Sequence, residues 1–314
     1  MIAQGSDARV TIFIRKVIAN PTPSYSWDFN VVDIHHNTLI TSFAWSPLSK
    51  SPSPENPTEE TQLGFSTCGS DFKIQYFSVS SGKLNDKFNF SEKKSIKLGG
   101  HSDFINSCDF QYSSSLLLAS TGDDNTCRIW DIEREKQLEL IELQSPGRTV
   151  KWQSATQPDQ IMIAEESGVL KFYDLRSRKV VLRFQVENRL ATSDCFESGE
   201  GLDTNTLFGC AASNKWYLWQ SQKAEPIYLE LSAPLQHFKI HPQKTSYFAT
   251  ASHANIPNPT IWNIHSLSSP IHTPINHEGS TITGLSWLYP NKSDKDTTLV
   301  YTAGKYINFW QLST

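Results

Sequence analysis

The stretch Leu98 to Ile132, LGGHSDFINSCDFQYSSSLLLASTGDDNTCRIWDI, leaves this chain very few architectures to fold into. Gly100 and His101 open it. An alternating run follows from Ile105 to Phe110, then an apolar run from Leu116 to Ala119. A tight acidic turn, Asp123-Asp124-Asn125, leads into a last strand that closes on Trp130-Asp131. Short alternating or apolar runs bounded by turn residues indicate β-strands. The polar residues have a structural task. His101, Ser120, Asp124 and Trp130 are expected to form a buried hydrogen-bonded chain. A buried polar group without a partner costs roughly 1–3 kcal/mol, so all four are needed together. Reading His101, Asp124 and Ser120 as a catalytic triad is disfavoured, because Trp130 completes the set and nothing signals an oxyanion hole.

The turn-to-aromatic interval works as a ruler. Six residues separate Asp124 from Trp130, and the same interval fits Asp7 to Phe13, Asp71 to Phe77, Ser167 to Tyr173 and Gly304 to Trp310. Trp219 is one residue tighter, and Trp262 follows an irregular turn containing Pro257 and Pro259. After the first gap the closing aromatics are spaced by 53, 43, 46, 43 and 48 residues. A second series, Trp45, Phe110, Trp152, Phe196, Ile240 and Trp287, ends an earlier strand of each unit. Five of its six intervals to the closing residue lie between 20 and 23. The sixth, Trp45 to Phe77, is lengthened to 32 by the Ser- and Pro-rich stretch Ser46 to Glu60, read as a surface loop. A four-stranded unit repeated about every 40–45 residues is the WD-repeat blade of a β-propeller. Seven closing aromatics predict an all-β, seven-bladed propeller in a single domain over 1–314. Its blades run at about 1–34, 35–98, 99–143, 144–186, 187–231, 232–276 and 277–314.

Trp27-Asp28 imitates a closing dipeptide, but it follows Pro21 and Pro23 with no strand before it; YSWDFNVVDI reads as the outer strand of the first blade. The first and last blades are expected to be incomplete. Too few residues precede Phe13 for an inner strand, and only four follow Trp310. Losing an inner strand removes buried aliphatic side chains at roughly 1.5–3 kcal/mol each. The expectation is that a longer N-terminus or a partner supplies the missing strands.

Composition and motifs exclude much chemistry. A net charge of −4 argues against a nucleic-acid surface, which needs a basic face. No run is long and apolar enough to span a membrane. The five cysteines lack CxxC spacing and read as small buried residues, with neither a disulfide framework nor a zinc site. No nucleotide-binding glycine loop is present. His237 and His241 suit a metal on a helix, but on a strand they stand about 13 Å apart. No catalytic, cofactor or metal residue is therefore expected. What remains is surface, where loops on a rigid scaffold build binding sites. The interface candidates are Asp103, Phe104, Ser145, Pro146, Arg148, Glu165 and Glu166. Phe104 is a candidate apolar anchor, the alternative being that it packs under its own loop; Arg148 is a candidate dominant contact, and Glu165-Glu166 an acidic rim.

Several runs carry a closer resemblance: HSDFIN, DDNTCRIWD, the SPG..V.W of Ser145–Trp152, and MIAEESGVLKFYDL. FAWSP, NKWYLW, TGLSW and a terminal INFW follow in the same order. Together they resemble the small WD-repeat nucleoporin family, the thirty-seven-kilodalton nucleoporins, over essentially the whole chain. The resemblance implies a seven-bladed propeller in the Y-shaped scaffold complex of the nuclear pore, at the nuclear envelope. It implies docking on the large arm nucleoporin that joins a propeller to a helical solenoid and, in some lineages, association with an ELYS-type nucleoporin. It implies no enzyme activity, no direct contact with nucleic acid and no membrane insertion. Family members carry about a strand pair before the position of Met1. The alternative is a substrate receptor of a cullin-RING ubiquitin ligase, because Tyr173-Asp174-Leu175-Arg176 resembles the WDxR box of such receptors.

Overall fold

The computed structural model describes residues 2–6, 9–15, 29–35, 38–50, 61–84, 87–112, 116–153, 157–198, 205–220, 225–242, 246–252, 258–272, 281–288, 297–304 and 306–312. Every regular element among them is a β-strand, in antiparallel sheets of the propeller-blade type. The chain forms two compact units, Met1–Trp152 and Gln153–Thr314.

The first unit opens with a three-stranded sheet, β1 (Ile2–Ser6), β2 (Arg9–Arg15) and β3 (Phe29–His35). A four-stranded sheet follows, β4 (Ile40–Trp45), β5 (Thr61–Gly69), β6 (Lys73–Leu84) and β7 (Lys87–Gly99). The third sheet is β8 (Ile105–Phe110), β9 (Leu117–Gly122), β10 (Thr126–Asp131) and β11 (Lys136–Glu142), and β12 (Gly147–Trp152) ends the unit. The β6–β7 hairpin is longer than the repeat requires, paired out to Leu84 opposite Lys87. That extension accounts for the 53-residue interval from Phe77 to Trp130. Between the second and third sheets lies a core that includes Cys68, Ile74, Leu98, Ile105, Phe110, Leu118 and Trp130. Val10 and Ile12 pack with Leu63, Phe65, Phe77 and Val79 in another. Trp27-Asp28 lies outside the described residues, as does the Ser- and Pro-rich loop beyond Lys50.

The second unit continues with β13 (Gln160–Glu165), β14 (Val169–Asp174) and β15 (Lys179–Gln185). Next come β16 (Leu190–Ser198), β17 (Asn205–Ala212), β18 (Lys215–Gln220) and β19 (Ile227–Glu230). β20 (Leu235–Ile240), β21 (Tyr247–Ser252), β22 (Thr260–Asn263) and β23 (Ile271–His272) form the following sheet. A three-stranded sheet of β24 (Ile282–Leu288), β25 (Thr297–Ala303) and β26 (Tyr306–Leu312) comes last. Its cores are rich in aromatics: Phe208 stacks on Trp219 at 5.2 Å, and Trp216 meets Phe248 edge-on at 4.9 Å.

One device recurs. In β4, β8, β16, β20 and β24 the register shifts once near the start, at Ile40/Ser42, Ile105/Ser107, Leu190/Thr192, Leu235/His237 and Ile282/Gly284. A bulge there bends and twists the strand as it enters its sheet. The closing aromatics sit opposite apolar partners: Phe77 faces Phe65, Trp130 faces Leu118, Tyr173 faces Ile161, Trp219 faces Phe208, Trp262 faces Phe248 and Trp310 faces Leu299.

Candidate interaction surface

The third sheet carries the polar chain that its spacing announces. His101 Nδ1 lies 2.9 Å from Asp124 Oδ2, and His101 Nε2 lies 2.7 Å from Ser120 Oγ. The Trp130 indole N–H donates to the same Ser120 oxygen at 2.8 Å. Asp124 also accepts from the Ser102 and Thr126 backbone N–H groups and from the Thr126 hydroxyl. Burial opposes ionisation of Asp124, yet the bonds from Thr126, His101 and Ser102 outweigh it and hold the carboxyl below its ordinary range. Burial lowers the His101 pKa, against the pull of Asp124, so the ring is neutral at pH 7. One tautomer serves every contact: Nδ1–H donates to Asp124 and Nε2 accepts from the Ser120 hydroxyl. The distances are those of a hydrolytic triad. Ser120, however, is fully buried, and its oxygen is occupied by Trp130. No substrate carbonyl can reach it, and the arrangement serves to lock strands β9 and β10 to the loop before β8.

Side chains on the first strand of one sheet also fasten the first strand of the next. Ser42 accepts the Cys108 N–H at 3.1 Å, and Ser107 accepts the Val150 N–H at 3.2 Å. Asp109 accepts the Trp152 N–H at 2.9 Å and pairs with Lys151 at 3.2 Å. In the second unit Asp194 repeats this, accepting the Ile240 N–H at 3.0 Å with Lys239 at 3.9 Å. Sequence reasoning missed these carboxylates. No shared spacing marks them: Asp109 stands one residue before Phe110, whereas Asp194 stands two before Phe196. Burial pushes the Cys68 and Cys210 thiols up, Cys68 with help from Cys108, so neither is a reactive thiolate.

The loops entering the sheets are clamped to neighbouring turns. The carbonyls of Leu39, Phe104 and Arg189 accept the backbone N–H groups of Ser70, Asp123 and Ser213. Phe104 is held on both sides, since its own N–H donates to Asp103 Oδ1 at 2.8 Å. Gly122 permits this, because a Cβ there would collide with the Phe104 carbonyl. The Phe104 ring is nevertheless 41% exposed and meets Phe72 edge-to-face at 5.3 Å. Arg148 pairs with Asp123 at 3.5 Å, and Asp123 also accepts from the Asn106 amide at 2.7 Å. Ser145 and Pro146 lie in the connection before β12, partly buried. Asp103, Phe104 and Arg148 thus come together around one set of turns in the first unit.

The other unit corrects one expectation. Glu165 is not on an acidic rim: it is 1% exposed, and its carboxylate lies 2.7 Å from Lys171 Nζ. It ends β13 facing inward, where Lys171 on the neighbouring strand neutralises it. Glu166 is partly exposed and pairs with Arg189. In the Tyr173–Arg176 stretch, Arg176 pairs with Asp159, and Asp174 accepts the Ser177 N–H at 2.7 Å. His237 Nε2 donates to the Ile282 carbonyl at 3.3 Å, while His241 packs on Trp287. Among the described residues no group of side chains has the makings of a metal site.

Repeated four-stranded sheets, closing aromatics and the His–Ser–Trp–Asp lock define a WD-repeat β-propeller. Residues 92–131 match the family described as WD domain, G-beta repeat. Mouse nucleoporin Nup37 is 31% identical over 202 residues, covering 62% of this chain and 56% of the relative. Human nucleoporin Nup37 is 30% identical over 205 residues, with the same shares of 62% and 56%. Pre-mRNA-splicing factor cwf17 of Schizosaccharomyces pombe is 32% identical over 107 residues, 34% of this chain and 31% of that protein. The chain is a WD-repeat protein similar to the nucleoporin Nup37, and spans little more than half the length of those Nup37 relatives.

Proposed function

We propose that this chain is a structural subunit of the nuclear pore complex, a Y-complex component at the nuclear envelope. It acts as a rigid protein-interaction platform and supports nucleocytoplasmic transport of protein and mRNA. The observation that carries this reading is the likeness to Nup37 over 62% of the chain. The locked sheets support it, since fixed loops present a surface at low ordering cost. The sheets of both units are read as seven blades of one domain over 1–314, the first and last being those with three strands. The partner is the large arm nucleoporin that combines a propeller with a helical solenoid, and an ELYS-type nucleoporin is a second. No catalytic residue, cofactor, direct nucleic-acid contact or membrane insertion belongs to this role. A stable interface needs about 1,200–2,000 Å² in total. The turns of the first unit that bear Asp103, Phe104, Ser145, Pro146 and Arg148 are offered as its contributors, and Glu166 is a separate candidate on the second unit. Imaging of the tagged chain in living cells tests the reading. A nuclear-rim signal is expected, and a diffuse cytosolic one would overturn it.

A further inference from the structure

The turn between the second and third strands of a sheet contains one residue in the left-handed backbone region, and its identity is uneven. It is Asn125 with φ 55°, Gly168 with φ 89°, Ser213 with φ 52° and Gly304 with φ 57°. In the second sheet the same place is taken by Phe72, at φ 62°. A bulky aromatic in that region is a steric outlier, where glycine or asparagine would sit without strain. Strain of this kind persists where the surroundings enforce it, and it collects at functional sites.

The ring is not there to fill a core. Phe72 is partly exposed, and its neighbour across the sheets is the exposed Phe104. The two belong to identical tripeptides, Ser70-Asp71-Phe72 and Ser102-Asp103-Phe104, which the fold brings together from different repeats. Leu39, 47% exposed, precedes β4 as Phe104 precedes β8, and its carbonyl is tied to Ser70 of the Phe72 turn. All three backbones are pinned by hydrogen bonds from their turns, so the apolar groups are presented rigidly. Asp71 and Asp103 directly precede the two phenylalanines, and the Asp123 N–H donates to the Phe104 carbonyl. Lys73 follows Phe72 in the chain, and Arg148 is paired with Asp123 at 3.5 Å.

We infer that Leu39, Phe72 and Phe104 form a docking patch for a partner segment with an aliphatic side chain flanked by lysine or arginine. The aliphatic group inserts against the paired rings, and the basic group meets Asp71 and Asp103. A left-handed phenylalanine is kept because glycine would lose this contact. The inference rests on the proposed pore role, in which the occupant belongs to the arm nucleoporin.

The test uses the full chain and the purified arm nucleoporin. Affinity and thermal midpoint are measured for wild type, Phe72→Gly, Phe104→Ala and Asp71→Lys/Asp103→Lys. Phe72→Gly is expected to weaken binding at least tenfold while the midpoint stays level or rises. That split separates a docking role from a structural one, because a structural aromatic would lower both together. Phe104→Ala should match the loss in affinity, and the double charge variant should weaken binding most at low salt. Wild-type affinity in Phe72→Gly and Phe104→Ala would overturn the patch while leaving the pore reading intact. Failure of the wild-type chain to bind the arm nucleoporin would overturn both.

Discussion

The Ser120 hydroxyl lies 2.7 Å from His101 Nε2 with both side chains buried, which makes this pair a structural joint between a loop and a strand. Removing the oxygen strands two partners at once. Ser120→Ala leaves His101 Nε2 and the Trp130 indole N–H without their bonds. It should destabilise the fold by about 1–3 kcal/mol. Urea denaturation measures this; an unchanged midpoint would contradict it.

Protonation of His101 gives the fold a definite pH dependence. Its folded pKa lies below the ordinary 6.5, so the unfolded chain takes up the proton first as pH falls. The contribution is full above that value and is lost as pH drops through 6.5 toward the folded pKa. Asp124, also depressed, acts lower: its contribution is present above 3.8 and disappears below it. The thermal midpoint of wild type should therefore fall between pH 7 and 5. The gap separating it from His101→Gln should narrow over the same window, which paired melting curves would reveal.

Asp109 and Asp194 make the same join in different repeats, each to a backbone N–H and a lysine on the next sheet's first strand. Asp109→Ala and Asp194→Ala should each cost about 1–3 kcal/mol, because the backbone donor is left buried and unpaired. Hydrogen exchange should show faster exchange at Trp152 and Ile240 respectively. Unaltered protection at both amides would dismiss the joins as incidental.

Glu165 and Lys171 form a buried pair, so breaking one side is worse than removing both. Glu165→Gln leaves an uncompensated ammonium and should destabilise by about 3–5 kcal/mol, whereas Glu165→Leu with Lys171→Met should recover most of that. Denaturant titrations of the single and double variants decide it. Any binding loss in Glu165→Gln then reflects stability, since the carboxylate does not reach the surface.

Arg176 is tied to Asp159 and remains 79% exposed. Arg176→Ala should leave nuclear-rim targeting unchanged. A ligase-receptor role requires instead that it abolish capture of the ligase adaptor, and pulldown with the adaptor distinguishes the two.

Much of this was legible in the chain because a propeller repeats itself. Asp124 and Trp130 fix a turn and a closing strand at constant separation, and that separation recurs. His101, Ser120, Asp124 and Trp130 could be named together because each is a polar group that burial makes dependent on the others. Asp109 and Asp194 were not legible, since a lone acid in a strand has no period and its partner lies on another repeat. Glu165 misled for a related reason: two acids at a turn read as surface, while Lys171, which explains the burial, is on the neighbouring strand. The backbone of Phe72 is invisible to composition, although the alignment of turns places it where Asn125 and Gly168 sit. The long β6–β7 hairpin left its trace in the 53-residue interval, which a period alone does not interpret.

The most direct test of the central claim is affinity purification of the tagged full chain from nuclear-envelope extract, with partner stoichiometry by mass spectrometry. Y-complex nucleoporins should be recovered, with the arm nucleoporin at about one copy per chain. An eluate without nucleoporins, or one dominated by splicing factors or ubiquitin-ligase adaptors, would contradict it.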